Sequence, residues 1–166
     1  MQRSLADLLR EDLIAVHVEA SDAETVIRAL ASRLVEKGFA EPGYADDAVA
    51  REKIYPTGLP TLPLGTAIPH ADPDRVSASG IAVGILASPA AFGLMGTDGS
   101  STVTAKIVFL LAIREREKQV GLIRELVELL QNPTLLERLG NVETEGEALR
   151  LLLFPPAALE ERETGR

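Results

Sequence analysis

"STVTAKIVFLLAI", residues 101–113, starts as one kind of strand and ends as another. Up to Lys106 it alternates, with Val103 and Ala105 set between Thr102, Thr104 and Lys106. From Ile107 to Ile113 every residue is apolar. A strand with one wet face keeps its period of two, and a strand covered on both faces loses it. The end of this strand is therefore expected to lie inside a layered structure, with a cover above and below.

The flanking segments supply that cover. "SDAETVIRALASRLVEKG" (21–38) reads as a helix: Ser21 and Glu24 have capping-box spacing, Val26, Ile27, Leu30 and Leu34 form a stripe, and Gly38 ends it. "GYADDAVAREKIY" (43–55) is a second helix that stops before Pro56. "EKQVGLIRELVELLQN" (117–132) places Val120, Ile123, Leu126, Val127 and Leu130 at helical spacing, and Pro133 opens another helical turn. "ETEGEALRLLLF" (143–154) is the last helix, with Thr144 and Glu147 as a possible second capping box. Further strands are expected at "LIAVHVEA" (13–20) and "GIAVGILA" (80–87), and a short amphipathic helix at "RSLADLLRED" (3–12). Two irregular stretches remain: the one before His70, and "SPAAFGLMGTDGSS" (88–101). Loops of that length are usually functional or mobile. Helices and strands alternate without repeats, which points to a single-domain α/β fold with helices on both faces of the sheet. The expected domain is 1–154, and "PPAALEERETGR" (155–166) is an expected tail that frays.

Composition narrows the function. The chain has 166 residues, 25 acidic and 17 basic, with a net charge of −8, which disfavours a nucleic-acid partner. With no cysteine there is no disulfide, thiolate metal site or cysteine nucleophile. The N-terminal stretch is charged every few residues, and no run reaches the roughly 18 apolar residues of a membrane span. A cytoplasmic protein without membrane insertion is expected.

"GLPTLPLGTAIPHADP" (58–73) sets four prolines and two glycines around one of only two histidines. Pro69 pushes Ile68 into an extended conformation, and "TAIP" suggests a short strand leading to His70. His17, inside the first strand, reads as a partly exposed residue without chemistry. His70 has too few partners for a transition-metal site, and no Gly-x-Ser-x-Gly elbow is present for it to serve. As a nucleophile it needs less, because a ring with an ordinary pKa of about 6.5 keeps a lone pair near neutrality. Such a ring can carry a phosphoryl group, given help against the negative charge. A histidine that merely bonds a turn is the other reading of the residues.

"REKIYPTGLPTLPLGTAIPHAD" (51–72) resembles the active-site region of the IIA components of the bacterial sugar phosphotransferase system (PTS), fructose-mannitol superfamily. The matching residues are Arg51-Glu52, Pro56-Thr57-Gly58 and Ala67-Ile68-Pro69-His70. "PTGLPT" with its extra residues before "GTAIPH", "FGLMG" (92–96) and "KQVGLIRELVELLQNP" (118–133) are similar to the galactitol-type branch. The resemblance spans roughly residues 5–153 and implies a mixed sheet and a phosphohistidine carrier without metal or organic cofactor. It implies that His70 accepts a phosphoryl group from the phosphocarrier HPr and passes it to a cysteine of a IIB component, with a IIC membrane permease as indirect partner. Arg51 is then the candidate phosphate contact, or else a solvated helix charge. Thr57 donates a hydroxyl hydrogen bond, or simply sits in the turn. Fructose- and mannitol-type members usually carry a second histidine at the start of the long C-terminal helix. That position falls here on Gln119 or Glu117. Ile68, Leu59, Leu62, Leu64, Phe92, Leu94 and Met95 are candidates for an apolar docking rim, with core packing the other reading of Phe92 and Met95. Two alternatives stand beside the transport role: a regulatory IIA-like protein that signals through its phosphorylation state, and a non-enzymatic small-ligand-binding module.

Overall fold

The computed structural model describes residues 4–157. Its five strands are β1 (Ile14–Val18), β2 (Gly58–Leu59), β3 (Gly65–Ala67), β4 (Gly80–Gly93) and β5 (Thr102–Ala112), in the sheet order β1-β4-β5-β3-β2. The β1–β4 and β3–β5 pairs are parallel, and the β4–β5 and β2–β3 pairs are antiparallel, so the sheet is mixed. The central strand is β5, as its apolar end requires.

The helices are α1 (Ala23–Glu36), α2 (Tyr44–Ile54), α3 (Arg116–Leu129), α4 (Pro133–Leu139) and α5 (Glu145–Leu153). Ile107, Phe109 and Leu111 of β5 pack in one core with Leu122, Leu126, Leu135, Leu139 and Leu152 of α3–α5. Val108, Leu110 and Ala112 pack in the other, with Val26, Ile27, Leu30 and Leu34 of α1 and Tyr44 and Ala48 of α2. Each fully buried aliphatic side chain stabilises by about 1.5–3 kcal/mol. The strand thus holds two helical layers at once, and both are covered. No helix among the described residues is long and apolar enough to cross a membrane.

The structure corrects several expectations. The stretch 3–12 forms no amphipathic helix; from residue 4 onward it holds two short 3-10 turns, Leu5–Leu8 and the start of Glu11–Leu13, which bury Leu5 and Leu8. The N-cap of α1 is Asp22, not Ser21, and its side chain accepts the Thr25 N–H at 2.8 Å. The segment 88–101 is only partly a loop, because β4 runs on to Gly93. Between Ile85 and Ala90 it bulges out of register with β5, and Ser88 and Pro89 sit in that bulge. A proline reads as a strand breaker, but a bulge tolerates its missing N–H. Val120 is 65% exposed, because α3 meets the core only from Leu122 onward. His17 is exposed as expected. It also adopts φ 56°, in the irregularity between Ala15 and Val18 where β1 slips against β4. The Thr144–Glu147 capping box is present. From residue 158 the expected tail lies outside the described residues.

β3 is short and lies close against β5. A methyl group at Gly65 would collide with the Thr104 carbonyl. Gly65→Ala is therefore expected to destabilise the chain by roughly 1–3 kcal/mol. The check is the midpoint of urea unfolding, which should fall at an unchanged slope.

Candidate functional site

His70 stands where the β3–β5 ladder runs out. Past Ala67 the chain still follows β5: Leu111 N–H donates to Pro69 O at 3.0 Å, and His70 forms an isolated parallel bridge with Leu111. Tyr44, fully buried at the start of α2, locks the next residue. Its hydroxyl donates to Leu111 O at 2.6 Å and accepts the Ala71 N–H at 3.2 Å. Burial pushes the Tyr44 phenol pKa up, so it stays protonated and keeps both bonds. The loop is held as firmly as a strand, although it is not one.

The half-buried imidazole has one nitrogen committed. Nδ1 lies 2.9 Å from Ile68 O. A carbonyl oxygen can only accept, so Nδ1 carries the proton and Nε2 keeps its lone pair. Among the described residues nothing hydrogen-bonds Nε2. The His70 pKa is lowered, first by burial and then by the Arg51 charge; the Ile68 carbonyl and Asp72 oppose this only in part. The ring is therefore neutral at physiological pH, with its lone pair on Nε2.

Arg51, in the last turn of α2, is near enough for its charge to act on His70. Its guanidinium stacks over the Tyr55 ring at 4.9 Å from the centroid. Its Nε is buried without a hydrogen-bond partner, and among the described residues no carboxylate pairs with it. It is not the solvated helix charge of the alternative reading. Arg51, Ala71 and Asp72 border a cleft of about 530 Å³. A guanidinium without a carboxylate partner, near enough to act on a ring whose Nε2 is free, suits an incoming anion. Neighbouring charges are already matched: Arg75 with Asp47 at 3.1 Å, and Arg116 with Asp72 at 3.4 Å.

Thr57 is placed differently from a direct phosphate donor. It is buried, its hydroxyl donates to Glu52 Oε1 at 2.9 Å, and the same oxygen accepts the Ile68 N–H at 3.2 Å. It braces the turn, the second of its two readings. Of the two positions at the start of α3, Gln119 reaches the loop, with Nε2 donating to Ala71 O at 3.3 Å. Glu117 is exposed and without a hydrogen bond or ion pair among the described residues. The expected rim divides: Ile68, Phe92 and Leu59 are core, while Leu62 and Met95 are exposed. Sequence reasoning missed Tyr44 and Glu52. The signal for Tyr44 was an aromatic residue at the head of an otherwise polar helix; Glu52 stood in the matching Arg51-Glu52 pair but was given no role.

A family model described as "Phosphoenolpyruvate-dependent sugar phosphotransferase system, EIIA 2" matches residues 7–154. The chain belongs to this EIIA type 2 family. This EIIA chain is similar to the mannitol-specific phosphotransferase enzyme IIA component of Halalkalibacterium halodurans, with 30% identity over 144 residues, covering 81% of this chain and 96% of that protein. It is 31% identical over 129 residues to the transcriptional regulator ManR of Bacillus subtilis, covering 76% of this chain and 18% of ManR. Galactitol-specific EIIA components of Escherichia coli are 25% identical over 118 residues, covering 71% of this chain and 77% of theirs. Among solved structures, the complex of enzyme IIAMTL and phosphorylated enzyme IIBMTL from Escherichia coli matches with a TM-score of 0.72 and 28% identity, over 87% of this chain and 98% of that one. The chain spans only about a fifth of the length of the first curated relatives it matches.

The electrostatics of this EIIA site are open to titration. His70 should titrate below the ordinary 6.5, and Arg51→Ala should bring its pKa upward, because removing a cation favours the protonated ring. The NMR titration of the His70 ring protons in both proteins is the check. An unmoved midpoint in Arg51→Ala would mean that this charge does not act on the ring.

Proposed function

We propose that His70 is a phosphoryl carrier, loaded by an HPr-type phosphocarrier and unloaded onto a cysteine thiolate of a IIB-type acceptor, in a cytoplasmic phosphotransfer chain that serves a IIC permease. The observation that carries this is the division of the imidazole: Nδ1–H is bonded to Ile68 O, Nε2 is free, and the Arg51 charge acts on the ring. In loading, the Nε2 lone pair attacks phosphorus, the donor's N–P bond breaks, and its electron pair stays on the donor nitrogen. Arg51 faces the phosphoryl oxygens, and the Ile68 carbonyl offsets the positive charge that develops on the ring. In unloading, the acceptor sulfur attacks phosphorus and the electron pair returns to Nε2. The Nδ1 proton stays in place throughout, so His70 neither takes up nor releases a proton in either direction.

The structure titled as a complex of enzyme IIAMTL with phosphorylated enzyme IIBMTL supports the choice of acceptor. The sugar class is a hexitol. The extra residues between Thr57 and Gly65 and the "FGLMG" stretch favour a galactitol-like branch, although the mannitol relative is the more similar, at 30% against 25% identity. The resemblance to ManR favours a second reading, in which phosphorylation of His70 sets the state of a regulator.

Incubation with enzyme I, HPr and phosphoenolpyruvate should add one acid-labile phosphoryl group, located by mass spectrometry on the peptide containing His70. His70→Ala should take up none, and label persisting in that variant would sink the assignment. Because the His70 pKa is lowered, the loss of uptake caused by protonation of the Nε2 lone pair should set in only below 6.5. Transfer onward to a hexitol-type IIB protein separates the transport role from the regulatory one.

A further inference from the structure

Glu52 is a buried acid to which phosphoryl transfer has given no task. Only 8% of it is exposed. It follows Arg51 on α2, so its side chain leaves the helix in another direction. Both carboxylate oxygens are used: Oε2 accepts the Thr57 N–H at 2.9 Å, and Oε1 accepts the Thr57 hydroxyl at 2.9 Å. The Thr57 hydroxyl oxygen then accepts the Ile68 N–H at 3.2 Å, a proton it shares with Thr57 O at 3.3 Å. The other end of Ile68 is the carbonyl that holds His70 Nδ1–H. A continuous run of hydrogen bonds thus leads from the carboxyl through Thr57 and Ile68 to the ring.

We propose that Glu52 is a positioning residue for phosphoryl transfer, acting through Thr57 to hold the Ile68 carbonyl where it selects the Nδ1–H tautomer of His70. The proposal rests on His70 as the carrier. An ionised carboxylate accepts only, so it forces the Thr57 hydroxyl to donate toward it and leaves the Thr57 oxygen to receive Ile68 N–H. Once Glu52 is protonated, its own O–H competes for that place and the Thr57 proton is no longer directed. The strut is therefore tightest when Glu52 is charged.

The surroundings decide when that happens. Glu52 lines a cavity of about 200 Å³ together with Glu24 of α1 and Lys53 of α2. Lys53 pairs with Glu24 at 3.8 Å, and among the described residues Glu52 has no cation of its own. Burial without a counter-charge raises its pKa to about 7, against the two Thr57 bonds. The strut should tighten as pH rises through that value. A folded-state pKa raised above the ordinary 4.5 also means that Glu52 contributes stability at low pH that is lost as pH rises through about 7.

The test uses the full chain and reads the His70 ring nitrogens by 15N NMR from pH 5 to 9, beside phosphoryl uptake. In the wild type the ring signals should show a second inflection near 7 as well as the His70 inflection below 6.5. Glu52→Gln, which keeps the shape without the charge, should lose the second inflection alone. Glu52→Ala should add the Nε2–H tautomer and slow uptake by roughly ten- to hundredfold, the scale of a small misplacement of a reacting group. If Glu52→Ala does not fold, Thr57→Ser and Thr57→Val replace it. The serine should keep the wild-type tautomer and the valine should not. A ring tautomer and pH profile identical in the wild type and Glu52→Gln, with uptake unchanged in Glu52→Ala, would overturn the proposal. The ring signals answer this even if His70 takes no phosphate; that outcome would defeat the carrier assignment and leave the coupling of Glu52 to the ring decided on its own.

Discussion

The hydrogen bond from Leu111 N–H to Pro69 O supports the whole site. The stretch 58–73 has few bonds of its own to give, because Pro60, Pro63, Pro69 and Pro73 have no N–H. Inside it β2 pairs with β3 and the Thr61 hydroxyl donates to Leu64 O at 2.7 Å; around His70 the order comes from outside, from β5 through Leu111 and from α2 through the Tyr44 hydroxyl. Each of these two outside partners is immobile for its own reason. Leu111 belongs to the apolar end of β5, pinned by helices on both faces, and Tyr44 is fully buried. The continuous apolar run that decides the fold therefore also fixes the imidazole. Packing of the core is converted into the orientation of one ring through a single backbone contact and its neighbours.

The charges divide by a similar logic. Around the site Arg75 and Arg116 pair with carboxylates. Arg51 does not, among the described residues, and its Nε is buried without a partner. Leaving a buried charged donor unsatisfied costs on the order of 1–3 kcal/mol or more. Stacking on Tyr55 recovers only part of this, since cation–π contact contributes about 0.5–2 kcal/mol.

Much of the fold was legible because it depends on patterns of apolar residues. The two-sided burial of β5, the α1 stripe and the Thr144 cap all follow from spacing. The errors fall where backbone geometry overrides composition. Pro89 signals a break but lies in a bulge, and Leu5 and Leu8 are buried by single 3-10 turns too short for a periodic signature. Val120 fits the helical period but lies before α3 reaches the core. At the site, His70 was legible from the stiffness of its surroundings, and Arg51 from the resemblance. Glu52 belongs to the same Arg51-Glu52 match, but its burial was not legible, because an acid on an amphipathic helix normally points to water. Only the turn at Pro56, which brings Thr57 back over the helix end, makes it internal.

Gln119 completes the argument about charge. An amide cannot titrate, and this one donates to Ala71 O one residue from the ring. A second histidine there would bring a cation that comes and goes near neutral pH. When protonated it would help Arg51 attract phosphate, but it would also lower the His70 pKa further and make the pull on the phosphoryl group depend on pH. With glutamine, the positive charge beside the ring is the permanent one of Arg51. On the carrier reading the site gives up part of its attraction for phosphate and keeps a constant field, so its response to pH would be left to His70 itself and to the buried carboxyl behind it.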